Sequence, residues 1–488
     1  MSPNRSTLIV HTSLLFDPIQ KAFLENVSVE VNTETGAIVR LHHRNTPDLP
    51  SPLSSRDIDL RDKVVLPGLV DSHTHIFLHS DKDRFHSLQM RDESAVERTV
   101  RATNHARAGL LAGYTTYRDL GTEALGNADA NLRDCVNRGL TPGPRLFVAT
   151  EALASSGGYE IRTENKLTRG GPLGLGLPRA ADVVDGFYAD YRRRVMRFPP
   201  DVAGPGGRVL FPPDRRERNP AVVLFSQEEM DAIVVEARMA DVPVAAHAAE
   251  TSTALMAARA GVTTVEHVFA DRDGCMEAMV EEMLEKGTIW VPTLATAEES
   301  FGEDKFDRCK RAVKAAHDKG VRIAAGGDTG DFNHGLNCRE MEIMIEAGIP
   351  IEDVLVAATH TGWHACGGDA SGFRFGWWDE GNRADIVALD TDPRKDAKAM
   401  RKVSFVMKDA RVWKRDGRPV DMFPATQWPE EAAESSEEEC IQLRQKPGRA
   451  ATFGIPNPTA LSIRGSGNPT PAASDVGWET DSFDVKLA

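Results

Sequence analysis

The sequence predicts an α/β protein: a barrel of parallel strand–helix units accompanied by a small β domain assembled from both chain ends. Three observations carry this. Strand-like and helix-like segments alternate for roughly 300 residues, as parallel βα units do, and eight such units close a barrel of the usual size. Period-two β patterning without helices flanks that stretch on both sides. Several predicted barrel strands end in histidine or aspartate.

The elements follow in order. Leu8–Asp17, Val27–Val31 and Ala37–His43 are short alternating runs separated by turn residues such as Asn32 and Gly36, and Asp57–Leu60 is a fourth. Val65 to His75 reads as a buried strand. Glu93 to Ala112 has helical apolar spacing through Val96, Val100, Ala106 and Leu110, with Gly113 as its C-cap. Strand Tyr114–Asp119, helix Asn131–Arg138 and strand Arg145–Glu151 come next. Four helix–strand pairs follow: Gln227–Ala240 with Val242–His247, Ser252–Ala260 with Thr263–His267, Cys275–Lys286 with Thr288–Leu294, and Lys305–Lys319 with Val321–Asp328. The β pattern returns at Ala384–Leu389 and Val403–Trp413. The expected division is 1–64 with 381–423 as the β domain and 65–380 as the barrel. Residues 424–488, acidic and then rich in Pro, Gly, Ser and Thr, form a tail without periodicity that is expected to be disordered.

Composition narrows the partners. Hydrophobic residues at 41% and charged residues at 27% are ordinary for a globular chain. A net charge of −15 argues against general nucleic-acid binding. The 6 cysteines include no CxxC pair, which speaks against a disulfide scaffold and suits a reducing compartment. No secretory leader pattern is evident, and no run reaches the roughly 18 apolar residues that span a bilayer. A cytoplasmic location with no membrane partner is expected.

The chemistry concentrates at strand ends. In a strand, side chains i and i+2 share a side, so His73 and His75 aim two imidazoles at one point, as a transition metal requires. His247 ends the strand containing Val244-Ala245-Ala246, His267 ends Thr264-Val265-Glu266, and Asp328 ends Ile323 to Gly327. In a parallel barrel the C-terminal strand ends open onto one face, so these five residues converge although distant in sequence. They form a candidate site for a divalent metal ion.

The motifs Leu66-Pro67-Gly68-Leu69-Val70-Asp71-Ser72-His73-Thr74-His75, Gly113-Tyr114-Thr115-Thr116-Tyr117-Arg118-Asp119, Ala246-His247-Ala248, Val265-Glu266-His267 and Gly327-Asp328-Thr329 resemble the amidohydrolase superfamily, most closely its imidazolonepropionase-like and Xaa-Pro dipeptidase-like amidases. Asn382-Arg383-Ala384-Asp385-Ile386-Val387 looks like the return into the β domain, so the similarity spans roughly residues 8–417. The resemblance implies a distorted (β/α)8 TIM-like barrel with a small β-sandwich domain and hydrolysis of an amide-like C–N bond. It implies that His73, His75 and Asp328 hold one ion and that His247 and His267 hold a second. Zinc is the expected ion, with manganese the alternative. Asp328 is the implied general base, which later protonates the leaving amine, and His247 is a second catalytic candidate. Substrates would be small N-acyl amino acids or dipeptide-like amides. Relatives of this type commonly associate, so a homo-oligomer is among the expectations.

The chain departs from that pattern in one place. Such enzymes usually carry a carboxylated lysine at the end of strand 4, bridging the two ions. Here Asp185-Gly186-Phe187 occupies the expected position, and the only lysine between Glu151 and Lys286 is Lys166, in a loop-like stretch. Residues 152–182 are crowded with Gly, Pro and Ser and lack a helical period, although a parallel crossover normally contains a helix. The strand 4 region therefore reads as shortened, with Val183–Ala189 as a poor substitute strand. A mis-spliced gene model is the simplest cause and a natural isoform the alternative. Two further readings follow: a catalytically impaired barrel, and a mononuclear hydrolase using His73, His75, His247 and Asp328. Tyr191 and Arg192 are candidates for holding a substrate carboxylate, since arginine suits bidentate recognition. His334, shortly after Asp328, is a candidate substrate contact. His360 and His364 share a helix face at i, i+4, and a packing role is expected for them.

Overall fold

The structure is a computed structural model, and it describes residues 6–49, 53–154, 181–183, 207–209, 225–271 and 274–422. The tail from 423 onward, including the expected disordered segment, lies outside the described residues.

Five strands open the chain: β1 (Thr7–Asp17), β2 (Ala22–Glu25), β3 (Val27–Asn32), β4 (Ala37–His43) and β5 (Ile58–Pro67). Near the other end of the described chain, β15 (Ile386–Leu389), β16 (Val403–Lys408), β17 (Arg411–Arg415) and β18 (Arg418–Pro419) join them. All nine form one sheet, in the order β18-β17-β16-β15-β5-β1-β3-β4, with β2 on β1. One buried apolar cluster takes Val10, Val29 and Val31 from one half of that path and Ile386, Phe405 and Met407 from the other.

Gly68 joins this sheet to the barrel. Its N–H bonds Asp385 O at 2.9 Å, and a Cβ there would lie 2.1 Å from Thr115 Oγ1. Only glycine permits that approach. β6 (Leu69–Thr74) then pairs in parallel with β7 (Tyr114–Asp119), and β7 with β8 (Arg145–Val148). Helix Ala95–Leu111 links β6 to β7 and begins at Ser94, whose hydroxyl accepts the Glu97 N–H.

The second barrel sheet runs β10 (Ala181–Val183), β9 (Ala152–Ala154), β11 (Gly207–Val209), β12 (Val244–Glu250), β13 (Thr264–Ala270), β14 (Ile289–Val291). Helices Gln227–Met239, Thr251–Ala260 and Met276–Lys286 precede its last three strands, close to the expected bounds. The first begins in a capping box between Ser226 and Glu229. The segment expected as the last barrel strand makes isolated parallel bridges, Ile323 to Trp290 and Thr329 to Thr74. Asp328 N–H donates to His73 O at 2.9 Å, so this segment closes β14 onto β6. A Cβ at Gly326 would fall 2.7 Å from His73 N, and the missing side chain lets the two backbones meet.

Of the segment expected as a substitute strand 4, only Val183 lies among the described residues. Val183 closes β10, which pairs with β9 and not with β12. The strand beside β12 is Gly207–Val209, in register Gly207 to Val244 and Val209 to Ala246. The sequence signal for it is the apolar run Val209-Leu210-Phe211 that Arg208 introduces. Residues 184–189 and Lys166 lie outside the described residues. No helix among the described residues is long and apolar enough to cross a membrane.

Candidate metal centre

His73 is the penultimate residue of β6 and is fully buried, with His75 just beyond the strand. Their Nε2 atoms lie 3.2 and 3.3 Å from one oxygen, Asp328 Oδ1. Asp328 Oδ2 is 3.9 Å from His267 Nδ1. Nitrogen and oxygen atoms of His73, His267 and Asp328 all fall within 4.8 Å of one another. The sequence places His247 and His267 at strand ends, but β12 and β13 run on to Glu250 and Ala270, so both lie mid-strand; His247 is half-buried and has its ring centroid 4.3 Å from that of His267. The five residues expected to converge are thus one connected group at the C-terminal mouth of the barrel.

The backbone bends to make this possible. His267, Thr293 and Asp328 have φ of 75°, 48° and 64°, a left-handed region that non-glycine residues seldom enter. Thr293 lies just past β14 and Asp328 ends the closing segment, whereas His267 lies inside β13, where Val268 beside it also has a positive φ of 68°. Thr296 Oγ1 donates to Gly327 O at 3.1 Å and Trp290 Nε1 to His267 O at 2.8 Å, which pins two of these bends.

Behind the histidines stand polar partners. Glu266 Oε2, on β13, is 2.8 Å from His73 Nδ1. Its other oxygen accepts from Arg118 Nη2 at 2.8 Å and from the Thr264 hydroxyl. Glu123 Oε1 lies 3.1 Å from His75 Nδ1. Thr293 Oγ1 lies 2.8 Å from His267 Nδ1. Asp71 accepts the His73 N–H at 3.1 Å and the Asn337 side-chain amide at 2.6 Å. Glu266, Arg118, Glu123 and Thr293 had no role in the sequence reading. Glu266 and Arg118 stand inside quoted motifs, which was the available signal.

Burial and charge set the protonation states. Burial alone would raise Glu266, but Arg118 and His73 outweigh it and bring its pKa down to about 2. Asp328 is likewise held well below the usual carboxylate range, with burial overcome by His73 and His75. His73 is raised, because Asp328 and Glu266 outweigh its burial. Asp71 is pushed up to about 6 by burial, which outweighs the lowering effect of Asn337 and His73.

The cluster suits a cation. His73 Nε2 and Asp328 Oδ1 are buried, face each other, and make no hydrogen bond. Two such atoms are costly unless a third group satisfies both. Imidazole nitrogens with one carboxylate are the donor set of zinc and similar divalent ions.

The remaining candidates separate. Tyr191 and Arg192 lie outside the described residues. His334 is buried and held by contacts within the fold. Its Nε2 sits 3.1 Å from Leu78 O and its ring stacks on His105 at 4.3 Å. Phe332 is buried beside it in sequence, so this turn is a packed part of the wall. His360 and His364 lie with ring centroids 4.8 Å apart, and His360 packs against Trp363 and Trp377.

Comparison with known proteins agrees with this architecture. Residues 64–420 match the amidohydrolase family. Ochratoxinase of Aspergillus niger is 29% identical over 406 residues, covering 76% of this chain and 80% of that one. Imidazolonepropionase of Rhizobium rhizogenes is 26% identical over 340 residues, covering 65% and 78%. Among solved structures, a Xaa-Pro dipeptidase with methionine bound in its active site superposes with a TM-score of 0.69 at 28% identity, over 84% of this chain and all of the other. The crystal structure of A. niger ochratoxinase gives 0.71 at 23% identity over 87% and 99%. With a match that covers most of its length and a fold shared with these enzymes, the chain belongs to the amidohydrolase family.

Proposed function

We propose that the protein is a metal-dependent hydrolase of an amide-type C–N bond, acting on N-acyl amino acids or dipeptide-like amides. The carrying observation is the buried group of His73, His267 and Asp328, with His75 against the same carboxylate. Family membership and the similarity to ochratoxinase and a Xaa-Pro dipeptidase support the reaction class. His73, His75, His267 and Asp328 would hold the ion, with zinc the first choice and manganese the second. Such an ion polarises a carbonyl and makes water a nucleophile near neutral pH.

The chain's own groups do the rest. Asp328 accepts the proton of the attacking water on a carboxylate oxygen and delivers it to the leaving nitrogen. Its depressed pKa keeps it ionised for the first transfer. His247, half-buried beside His267, is the second catalytic candidate, as a further ligand or as a donor to the carbonyl oxygen. Residues 65–380 are the catalytic barrel in this reading, with 1–64 and 381–423 as its β appendage. A cytoplasmic, self-associating enzyme fits the cysteine usage and the family.

A second, mononuclear reading has its own observation: strands β9, β10 and β11 contain no lysine. One test serves both. Full-length protein made in zinc-supplemented medium is assayed for metal by elemental analysis and for amino-acid release from N-acyl amino acids and Xaa-Pro dipeptides. Hydrolysis with about two ions per chain supports a paired site, and with about one ion the mononuclear site. Bound metal without turnover marks an impaired enzyme. Protein that binds no metal overturns the proposal.

A further inference from the structure

Two arginines are buried to 1% exposure near this mouth, and they stand behind different histidines. Arg118, on β7, donates to Glu266 Oε1 and also to Ser72 O, Thr264 Oγ1 and Ala365 O. It therefore clamps β13 to β6 and fixes the carboxylate whose other oxygen meets His73 Nδ1. Arg98, on helix Ala95–Leu111, donates to three carbonyls: Phe77 at 3.2 Å, Thr122 at 3.0 Å and Glu123 at 2.7 Å. These belong to the segments leaving β6 and β7. The contact holds Glu123 at φ 53° and brings its Oε1 within 3.1 Å of His75 Nδ1, where Gly121 O at 3.3 Å is a second acceptor for the same N–H. Each arginine thus reaches one histidine through one glutamate.

We propose that Glu266 with Arg118 and Glu123 with Arg98 are positioning residues for His73 and His75: each glutamate takes the Nδ1–H of its histidine, so that both rings turn Nε2 toward Asp328. The inference rests on the metal reading above. A carboxylate can only accept, which makes Nδ1 the donor and leaves the Nε2 lone pair for an ion. Ring orientation and tautomer are then set before any ion arrives.

The two couples differ in a way that a glutamine exposes. In E266Q the amide oxygen must face Arg118 and Thr264, which are donors. The amide NH2 then faces His73 Nδ1 and drives the proton to Nε2. At Glu123 the arginine donates to the main-chain carbonyl, a contact that E123Q leaves in place, and the new amide oxygen can face His75.

The experiment measures zinc affinity by chelator competition in wild type, E266Q and E123Q. Nitrogen-15 NMR of the metal-free proteins, at a pH high enough that both rings are neutral despite Asp328 beside their Nε2 atoms, assigns the ring tautomers, a signature that a merely structural role does not move. Wild type is expected to hold His73 and His75 protonated at Nδ1. E266Q is expected to lose about 10- to 100-fold in affinity with the proton of His73 moved to Nε2, and E123Q to lose less. E266Q binding zinc within about threefold of wild type, or wild-type rings protonated at Nε2, overturns the inference and leaves the metal reading standing. Wild type that binds no metal overturns both. If E266Q does not fold, the wild-type tautomers alone decide.

Discussion

His73 and His75, at the end of β6, and His267, within β13, approach one aspartate from differently built backgrounds. His73 and His75 each have a glutamate behind Nδ1, and a buried arginine behind that glutamate. His267 has a threonine hydroxyl. A carboxylate raises the basicity of the imidazole it backs, whereas a hydroxyl mainly orients it. The difference implies that the β6 side is the tight half of the site and the His267 side the adjustable half.

Substitutions can break that ordering, beginning with the group both halves share. Asp328→Asn should lower kcat by about a thousandfold, as expected for loss of a general base, and should also weaken zinc binding. Turnover within tenfold of wild type would remove Asp328 from its central role. The glutamine exchange at Glu266 comes next in size. Thr293→Val removes one neutral hydrogen bond from His267, worth about 0.5–1.5 kcal/mol, and should cost only about two- to tenfold in zinc affinity. An effect as large as that of E266Q would erase the distinction between the halves.

His334 tests the boundary of the site. Stacked on His105 and buried, it should behave as packing. His334→Ala is expected to lower stability by about 1–3 kcal/mol while leaving KM within about twofold. A KM that rises tenfold with unchanged Tm would return it to the substrate.

The smallest effect contrasts two buried glutamates. Glu266 has Arg118 and titrates near 2; Glu340, buried against the Ala295 N–H at 2.7 Å and without an ion pair among the described residues, is pushed up to about 8 by burial. For Glu340 the folded value lies above the ordinary one, so the fold binds the proton more tightly than the unfolded chain does. Its contribution to stability therefore falls as pH rises from about 4.5 to 8 and is level above that. For Glu266 the order is reversed: its contribution is present above about 4.5 and is lost as pH falls toward 2. The Tm difference of Glu340→Gln from wild type should grow across pH 5–8. That of E266Q should shrink toward acid. Parallel pH profiles would mean that the two carboxylates share one environment.

What could be read from the chain follows its physics. His73, His75, His247, His267 and Asp328 were legible because strand periodicity and barrel topology are local rules with a global consequence. Glu266 was not, since nothing in the sequence says that it meets a ring 193 residues away. Arg98 was hidden for a different reason. A charged residue on a helix normally reads as solvent-facing, yet here its partners are carbonyls of two loops. The strand beside β12 escaped because Gly207–Val209 is too short to show alternation. His334 was read as a candidate substrate contact from its place in a loop after Asp328, and nothing local in the sequence shows that this loop folds inward.

The left-handed bends at His267, Thr293 and Asp328 carry one more implication. Their conformational cost falls on folding, not on capture of an ion. An arriving cation would find the backbone already wound and would need only to shed its water. Uptake should then follow a single phase whose rate scales with the ion's own water exchange, and differ little between a freshly refolded chain and one long equilibrated.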